Sequence, residues 1–491
     1  MLNNFKNKKV LVFGLGLLGG GVATTNWLLK HGAKVTVTDL KTKEQLAPSL
    51  KRIKGKVVLR LGGHSEKDIR ANDVIVFNPD ISVKSPYVAL AWKLKKHVEN
   101  EATIFYERCA KPIIAVTGTR GKTTTATWIQ HLLGKTSILA GNRYDHAFLD
   151  ELDKVLRYRT VVNELPSYQL EFFPFTKYAP HIAVITNISR DHMNRYGGSL
   201  KEYAATKGNI FYNQSAANHL ILNRDDAWTK FFLKQKPNAA VWFFSLRPLR
   251  KNENGMFVKD STLYFQDSVH PLFERISRHA VPVLSIPGFV KKWGAHNVQN
   301  FMAAALAAHV TGAGWEEIAA RMKTLPGVEF REQIVFKNER LTIVNDTTAT
   351  SAEGGIAAVE RFALPRRSVR AKAGSALPQC ILIAGGTDRG LEYGGWAKAV
   401  RKKIAPKNLI LLSGSATNKM MKKLGAFTKG VIPKETLEEC FDMALVRSAT
   451  YRNATIVFSP AAKSFEKFRN EYDRGERFNA LVKNFAKKGR R

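Results

Sequence analysis

The feature that constrains this chain most is a short glycine loop. An apolar run at 113–116 leads into Gly118-Thr119-Arg120-Gly121-Lys122-Thr123, and a helix-like segment begins where the loop ends. Glycines let such a backbone curl until its N–H groups converge on an anion. The N-terminus of the following helix adds a favourable dipole. In this arrangement Lys122 reaches the β- and γ-phosphates of a nucleotide and Thr123 holds a magnesium ion. The spacing is two residues shorter between the glycines than in the general GxxxxGKT loop. A chance Gly-Lys-Thr turn is the competing reading, and the strand before and helix after weigh against it. Taken alone, the motif says only that a nucleoside triphosphate binds.

A second glycine turn, Gly14-Leu15-Gly16-Leu17-Leu18-Gly19, lies between an expected strand at 9–13 and an expected helix at 22–31 that ends at Gly32. Asp39 closes the next strand, at 34–38. This is a dinucleotide-binding fingerprint, so a dehydrogenase is a rival reading for the first 110 residues. It leaves the phosphate loop unexplained. Further strands are expected at 74–77, 160–163, 182–186, 341–344, 380–383, 409–412 and 455–458, with a long helix at 297–310. Leu325-Pro326-Gly327 reads as a linker. Strands that alternate with helices imply an α/β fold with mostly parallel, covered sheets. The expected domains are 1–110, 111–325 and 326–491, consistent with 491 residues at roughly 100–200 per domain.

A chain of this size buries a core without cross-links. Cys109, Cys380 and Cys440 form no CxxC pair, which argues against a zinc site or a disulfide framework and favours a reducing compartment. The N-terminal stretch is polar and Lys-rich and does not read as a signal peptide. No run approaches the ~18 apolar residues of a membrane span. A soluble cytoplasmic protein is expected. The net charge of +36 raises the question of nucleic acid. The basic residues are spread along the chain, however, with local concentrations only at 366–372 and 483–491, and no binding stripe is evident.

The loop with Thr117-Gly118-Thr119 before its Gly-Lys-Thr resembles the central domain of the Mur ligases and folylpolyglutamate synthases, which usually carry Asn where this chain has Arg120. Further segments follow in the Mur order. Asn163-Glu164-Leu165-Pro166-Ser167-Tyr168-Gln169-Leu170-Glu171 resembles Glu-Leu-Ser-Ser-Phe-Gln-Leu-Glu, with Pro166 replacing a serine. Asn187-Ile188-Ser189-Arg190-Asp191-His192-Met193-Asn194-Arg195 resembles Asn-x-x-x-Asp-His-x-x-Arg. Gly294-Ala295-His296-Asn297-Val298-Gln299-Asn300 resembles Gly-x-His-Asn-x-x-Asn, with both asparagines on one helix face. Phe330-Arg331-Glu332 stands where the family has His-Arg-x-Glu. Asn345-Asp346-Thr347-Thr348-Ala349-Thr350-Ser351 matches Asn-Asp-Ser-Lys-Ala-Thr-Asn, with Thr348 replacing the lysine. Gly385-Gly386-Thr387-Asp388-Arg389-Gly390 resembles a turn that presents a basic residue to an acceptor carboxylate, and the segments from Ser459 to Phe465 and from Asn470 to Gly475 resemble the end of the D-glutamate-adding branch. There is no Asp-Asn-Pro-Arg segment of the diaminopimelate- or lysine-adding kind, and folylpolyglutamate synthases lack the glycine-rich first domain.

The resemblance implies a Rossmann-like first domain for a UDP-linked substrate, a central phosphate-loop domain for ATP and a Rossmann-like third domain for the acceptor amino acid. It implies an ATP-dependent carbon–nitrogen ligase that joins D-glutamate to UDP-N-acetylmuramoyl-L-alanine in peptidoglycan synthesis, and so serves cell-wall biogenesis, cell shape and division. ATP would contact Gly118, Thr119, Arg120, Gly121, Lys122, Thr123, Thr124, Asn297, Asn300, Arg331 and Asp346. Two magnesium ions would be served by Thr123, Glu164, His192 and Lys207, the last as a carbamate. Lys122, His192 and Lys207 would be the catalytic set. Gly16, Leu17, Leu18, Asp39 and Asn142 would face the donor, and Thr350, Arg389 and Ser464 the acceptor. Lys463, where the family often has Ala or Cys, is a candidate replacement for the cation lost at Thr348. A monomer without a nucleic-acid partner is expected. Two alternatives remain: the same ligation with another acceptor, and a basic, nucleic-acid-associated phosphate-loop ATPase. The second predicts salt-dependent retention on DNA.

Overall fold

The computed structural model describes residues 5–17, 19–141, 147–267, 280–364 and 378–488. Leu18, Asn142 and the basic run at 366–372 lie outside the described residues, as does the end of the basic tail. The chain forms two compact units, Met1–Pro326 and Gly327–Arg491. Three sheets organise them.

The first sheet contains β1 (Lys9–Phe13), β2 (Lys34–Asp39), β3 (Val58–Leu61), β4 (Val74–Phe77) and β5 (His97–Glu99), in the order β3-β2-β1-β4-β5. Every pairing is parallel. Strands β1 and β4 are near-continuous apolar runs because helices and neighbouring segments cover both faces. The helix after the first glycine turn spans Gly20–Lys30, two residues earlier than expected, because Gly19 takes a left-handed conformation (φ 102°) as its cap. Helix Glu101–Arg108 closes the sheet. Its capping box pairs the Asn100 side chain with the Thr103 N–H and the Thr103 hydroxyl with the Asn100 N–H, each at 2.8 Å.

Glu101 is buried at the head of this helix, and a Cβ on Gly20 would lie 3.0 Å from its Oε2. Burial, reinforced by the charge of Asp150, pushes its carboxyl up to about 8. The folded state therefore holds this proton more tightly than the unfolded chain. Stability is expected to fall as pH rises from the ordinary carboxyl value of 4.5 to about 8, then level off. Urea unfolding at pH 5 and pH 8 checks this. Glu101→Gln should flatten the slope, and an equally steep slope in the variant would rule out Glu101 as its source.

The second sheet has nine strands: β6 (Ile113–Thr117), β7 (Ser137–Gly141), β8 (Thr160–Glu164), β9 (Ile182–Ile185), β10 (His219–Asn223), β11 (Ala240–Ser245), β12 (Asn254–Lys259), β13 (Thr262–Gln266) and β14 (Val281–Ser285). Their order is β14-β13-β12-β11-β10-β9-β6-β8-β7. The sheet is parallel from β7 across to β12, and β12, β13 and β14 add an antiparallel meander. Helix Asn297–Val310 is Ala-rich, and its residues from Phe301 to Ala308 are buried. These small side chains allow close approach to helix Lys122–Leu133 and the sheet, in a core with Trp128, Ile129 and Leu132.

In the second unit, β15 (Gln333–Lys337), β16 (Leu341–Asn345), β17 (Gln379–Gly385), β18 (Leu409–Leu412) and β19 (Ala454–Phe458) are ordered β15-β16-β19-β17-β18. Only the edge strand β15 is antiparallel. The two-residue period of β17 sends Leu382 and Ala384 into one core and Ile381 and Ile383 into the other. The three cysteines are free thiols.

Candidate active site

Strand β6 delivers the phosphate loop at its C-terminal edge, between β8 and β9. The helix begins at Lys122, so the loop proper is only Gly118–Gly121. Both glycines have positive φ, 142° and 83°. A Cβ on Gly118 would lie 1.9 Å from Thr186 Oγ1, and one on Gly121 would lie 2.1 Å from Asn300 Oδ1. Side chains are excluded at both places, by conformation and by space.

The end of β9 holds the loop from below. Thr119 N donates to the Asn187 carbonyl (2.8 Å), and Arg120 N donates to Asn187 Oδ1 (3.0 Å). Thr186 Oγ1 and Asn187 Nδ2 donate to the Arg120 carbonyl at 2.6 and 3.1 Å. Ser189 N donates to Thr119 Oγ1 at 2.9 Å. Lys122 Nζ donates to the Thr119 carbonyl at 3.1 Å, folded over the loop it follows. Thr124 continues the first helical turn. Asn300 Nδ2 donates to Asn297 Oδ1 (2.8 Å), and Asn297 Nδ2 donates to the Trp293 carbonyl (2.9 Å). The two asparagines thus share a face, and Asn300 abuts the loop.

Glu164 is the last residue of β8 and is buried. It accepts a 2.7 Å hydrogen bond from Thr123 Oγ1. A hydroxyl and a carboxylate at a phosphate loop form an oxygen donor set suited to a hard divalent cation. His192 lies on the turn after β9 in a left-handed conformation, φ 54°. Its N–H donates to Asp191 Oδ1 at 3.0 Å, and its Nε2 lies 3.9 Å from Asp191 Oδ2. Lys207 is 1% exposed, with Nζ donating to Thr117 Oγ1 at 3.5 Å and 4.7 Å from the Tyr203 ring centre. Burial, then the neighbouring Lys122 charge, holds its amine well below the ordinary lysine value. A surface helix lysine is therefore excluded. Lys122, Thr123, Glu164 and Lys207 border one loop, and the His192 turn reaches it through Asp191, which accepts from Arg120 Nη1 at 3.0 Å.

Sequence reasoning missed the brace beneath this site. Arg195 donates to Glu171 Oε1 (2.6 Å) and to the carbonyls of Asp80 and Pro79 (2.9 Å each). Glu171 Oε2 accepts from Val83 N at 2.9 Å. One buried ion pair therefore ties the loop after β4 to the His192 turn. Both residues stand inside segments already singled out, but only spatial proximity reveals that they pair.

At the first glycine turn, Gly14, Gly16 and Gly19 all have positive φ. Asp39 shapes the turn directly. Its Oδ2 accepts from Leu15 N (2.9 Å) and Gly16 N (3.0 Å), and its Oδ1 accepts from Lys41 N (2.9 Å). Leu17 is half exposed on the rim.

In the second unit, the candidate residues gather at the C-terminal ends of the sheet strands. Asp346 is buried, accepting from Ser459 Oγ (2.7 Å) and Glu332 N (3.0 Å). Burial and the Glu332 charge push its carboxyl up to about 8. Arg331 sits in the turn just before Glu332, its N–H donating to the Val328 carbonyl. Thr348 Oγ1 donates to the Phe330 carbonyl at 2.7 Å. Thr350 is half-buried on the same loop. Arg389 covers the Phe465 ring at 4.7 Å. Ser464 is buried and its hydroxyl has no hydrogen-bond partner, as suits a group awaiting a ligand. Lys463 Nζ lies 4.0 Å from Glu471 Oε1.

Parallel α/β sheets, a glycine turn at one sheet and a short Gly-Lys-Thr loop between strand and helix at another are the architecture of a nucleotide-handling enzyme of phosphate-loop type. Residues 116–308 match the model of the Mur ligase middle domain, and residues 8–99 match that of the Mur ligase MurD-like N-terminal domain. A protein of Roseiflexus sp. (strain RS-1), named UDP-N-acetylmuramoylalanine--D-glutamate ligase, is 32% identical over 97% of this chain and 99% of its own length. A protein of the same name from Borreliella afzelii (strain PKo) is 30% identical over 98% and 99%. Among solved structures, the UDP-N-acetylmuramate-alanine ligase of Thermotoga maritima shares the fold at a TM-score of 0.57 and 18% identity, covering 98% of this chain and 100% of that one. The MurF ligase of Thermotoga maritima in complex with ADP does so at 0.55 and 14%, covering 99% and 97%. This chain belongs to the Mur ligase family.

Proposed function

We propose that this protein is an ATP-dependent ligase that joins D-glutamate to UDP-N-acetylmuramoyl-L-alanine in peptidoglycan precursor synthesis. The observation that carries the reading is near-full-length similarity to relatives named for that reaction. A phosphate loop whose Thr123 and Glu164 make an oxygen donor pair gives it chemical content. The domains are 1–110 for the donor, 111–325 for ATP and 326–491 for the acceptor. The protein works as a cytoplasmic monomer. Among the described residues, no helix is long and apolar enough to cross a membrane.

The N–H groups from Gly121 to Thr124 and the Lys122 ammonium receive the triphosphate within a loop that Gly118, Thr119 and Arg120 shape, with Asn297, Asn300, Arg331 and Asp346 completing the nucleotide contacts. Gly16, Leu17, Leu18, Asp39 and Asn142 receive the donor. The donor carboxylate oxygen bonds to the γ-phosphorus as the bond to the β-phosphate oxygen breaks, giving an acyl phosphate and ADP. Thr350, Arg389 and Ser464 hold D-glutamate so that its amine attacks the acyl carbon. Arg389 suits a carboxylate clamp through its forked donors. The tetrahedral oxyanion collapses, the amine loses a proton, and phosphate leaves. Thr123, Glu164, His192 and Lys207 are the residues that would hold two magnesium ions, which would supply charge neutralisation for the crowded phosphate oxygens. Lys207 does this as a carbamate. Its buried amine is disfavoured as an ammonium, so the neutral nitrogen can bond to the carbon of carbon dioxide and release a proton to solvent, giving a carbamate whose charge is opposite to that of Lys122.

The test is phosphate release with ATP, magnesium and UDP-N-acetylmuramoyl-L-alanine, adding each amino acid separately. Release dependent on D-glutamate is expected. The loss of a lysine at Thr348 favours one second reading, a ligase with another acceptor, and release with a different amino acid would establish it. No release with any acceptor, from folded protein that binds ATP, would refute both.

A further inference from the structure

Arg120 links the phosphate loop to the turn that carries Asp191 and His192. Its backbone is fixed by Thr186 and Asn187, so the side chain leaves the loop in one direction. That side chain is one-third exposed, and its Nη1 donates to Asp191 Oδ2 at 3.0 Å. The other oxygen of the same carboxylate accepts the His192 N–H. This second bond steadies a residue held at φ 54°, a region that non-glycine residues enter only when their surroundings hold them there. A guanidinium, a carboxylate and a strained backbone amide therefore form one chain, and the His192 ring stands at its end. An asparagine at 120, too short to span to Asp191, would leave that chain open.

We propose that Arg120 is a positioning residue that sets His192 for metal binding by clamping Asp191. The inference rests on the ligase reading only in assigning His192 to a metal. The clamp is complete within the phosphate loop and the His192 turn, so it is in place before nucleotide arrives. Its work is preorganisation: metal binding does not have to order the turn. The same pairing diverts the Arg120 charge from the phosphates, leaving Lys122 as the cation that meets them.

Two readouts test this, using the full-length protein and the variants Arg120→Asn, Arg120→Lys, Asp191→Asn and the Arg120→Asn/Asp191→Asn double variant. The first is hydrogen exchange without ligands. Arg120→Asn should speed exchange of the amides from Ser189 to Arg195 while the rest of the chain keeps its protection, and Arg120→Lys should restore part of it. The second is the magnesium concentration that half-saturates phosphate release. Arg120→Asn should raise it roughly 10- to 100-fold, the usual cost of losing an outer partner of a metal ligand, with a much smaller change in KM for ATP. The double variant should be no worse than the Asp191→Asn variant, because the two residues act in series. Additive losses, or a rise in KM for ATP alone, would overturn the proposal and make Arg120 a direct phosphate contact. If the wild type releases no phosphate with any acceptor, the functional reading fails, and the exchange experiment still decides whether Arg120 holds the turn.

Discussion

Lys122→Ala is expected to cut acceptor-dependent phosphate release by about three orders of magnitude while leaving the melting temperature nearly unchanged. The size follows from what the side chain does at the loop. A preorganised donor aimed at charge that develops on a transferring group is worth roughly 10²–10³ in rate, and a cation at the phosphate oxygens stands at the top of that range. Stability should survive because Lys122 is only partly buried, and its bond to the Thr119 carbonyl is replaceable by water. Most of the loss should appear in kcat, with a smaller rise in KM for ATP, because the N–H groups of the first helical turn remain to bind the nucleotide. Lys122→Arg keeps the charge but changes a compact ammonium into a wide planar fork. Within a loop where a single Cβ would collide with Asn300, it should restore little. Steady-state phosphate release, paired with a thermal melt of each variant, is the measurement. Activity within tenfold of wild type for Lys122→Ala would mean that the loop is not the phosphoryl-transfer site.

How much of this was legible beforehand depends on the kind of constraint. Glycine turns are readable because backbone geometry has few solutions: Gly118 and Gly121 sit where a Cβ has neither conformation nor room. Continuous apolar runs such as β1, β4 and β6 are equally readable, since strands covered on both faces admit little else. Strands β13 and β14 escaped because they are only partly buried and β14 carries a proline, so their patterns resemble loops. Strand β15 escaped for the same reason, lying on an edge. Roles set by spatial partners were the least legible. Asp39 reads as a strand-end acid, and nothing in its spacing announces that both its oxygens are taken up by N–H groups at and beside the first glycine turn. Glu171 and Arg195 are charged residues 24 positions apart, and only the fold brings them to 2.6 Å. Lys207 illustrates both sides. The family resemblance assigned it to the site, while its burial, which separates it from the many surface lysines of so basic a chain, required the structure.

Arg474→Met is expected to destabilise the second unit by about 3 kcal/mol or more and to weaken binding of the acceptor beyond what the melting temperature explains. Arg474 is fully buried beneath the C-terminal edge of the sheet. Its Nε donates to Thr347 Oγ1 at 3.0 Å, Nη2 donates to the carbonyls of Thr347 (2.7 Å) and Ala462 (3.1 Å), and Nη1 donates to that of Lys463 (3.1 Å). Burial pushes its guanidinium down to about 10, so it stays charged at neutral pH. Methionine fills much of the volume but leaves three carbonyls and a hydroxyl without this donor. The Lys463 carbonyl keeps its bond from the Thr387 N–H (2.8 Å) and Thr347 Oγ1 keeps its bond to the Glu471 carbonyl (3.1 Å), so the loss falls on the Thr347 and Ala462 carbonyls, at roughly 1–3 kcal/mol for each buried group left unsatisfied. Arg474→Lys should rescue poorly, because one ammonium cannot reproduce the fork that meets two loops at once. Those loops are the ones that carry Thr350 and Ser464, so the same guanidinium that stabilises the unit also fixes the spacing between the two residues proposed to hold the acceptor. A purely structural arginine would lower the melting temperature and leave KM for D-glutamate unchanged in the fraction that remains folded. The expected result is a tenfold or larger rise in that KM at a temperature well below the transition, with KM for ATP moving less.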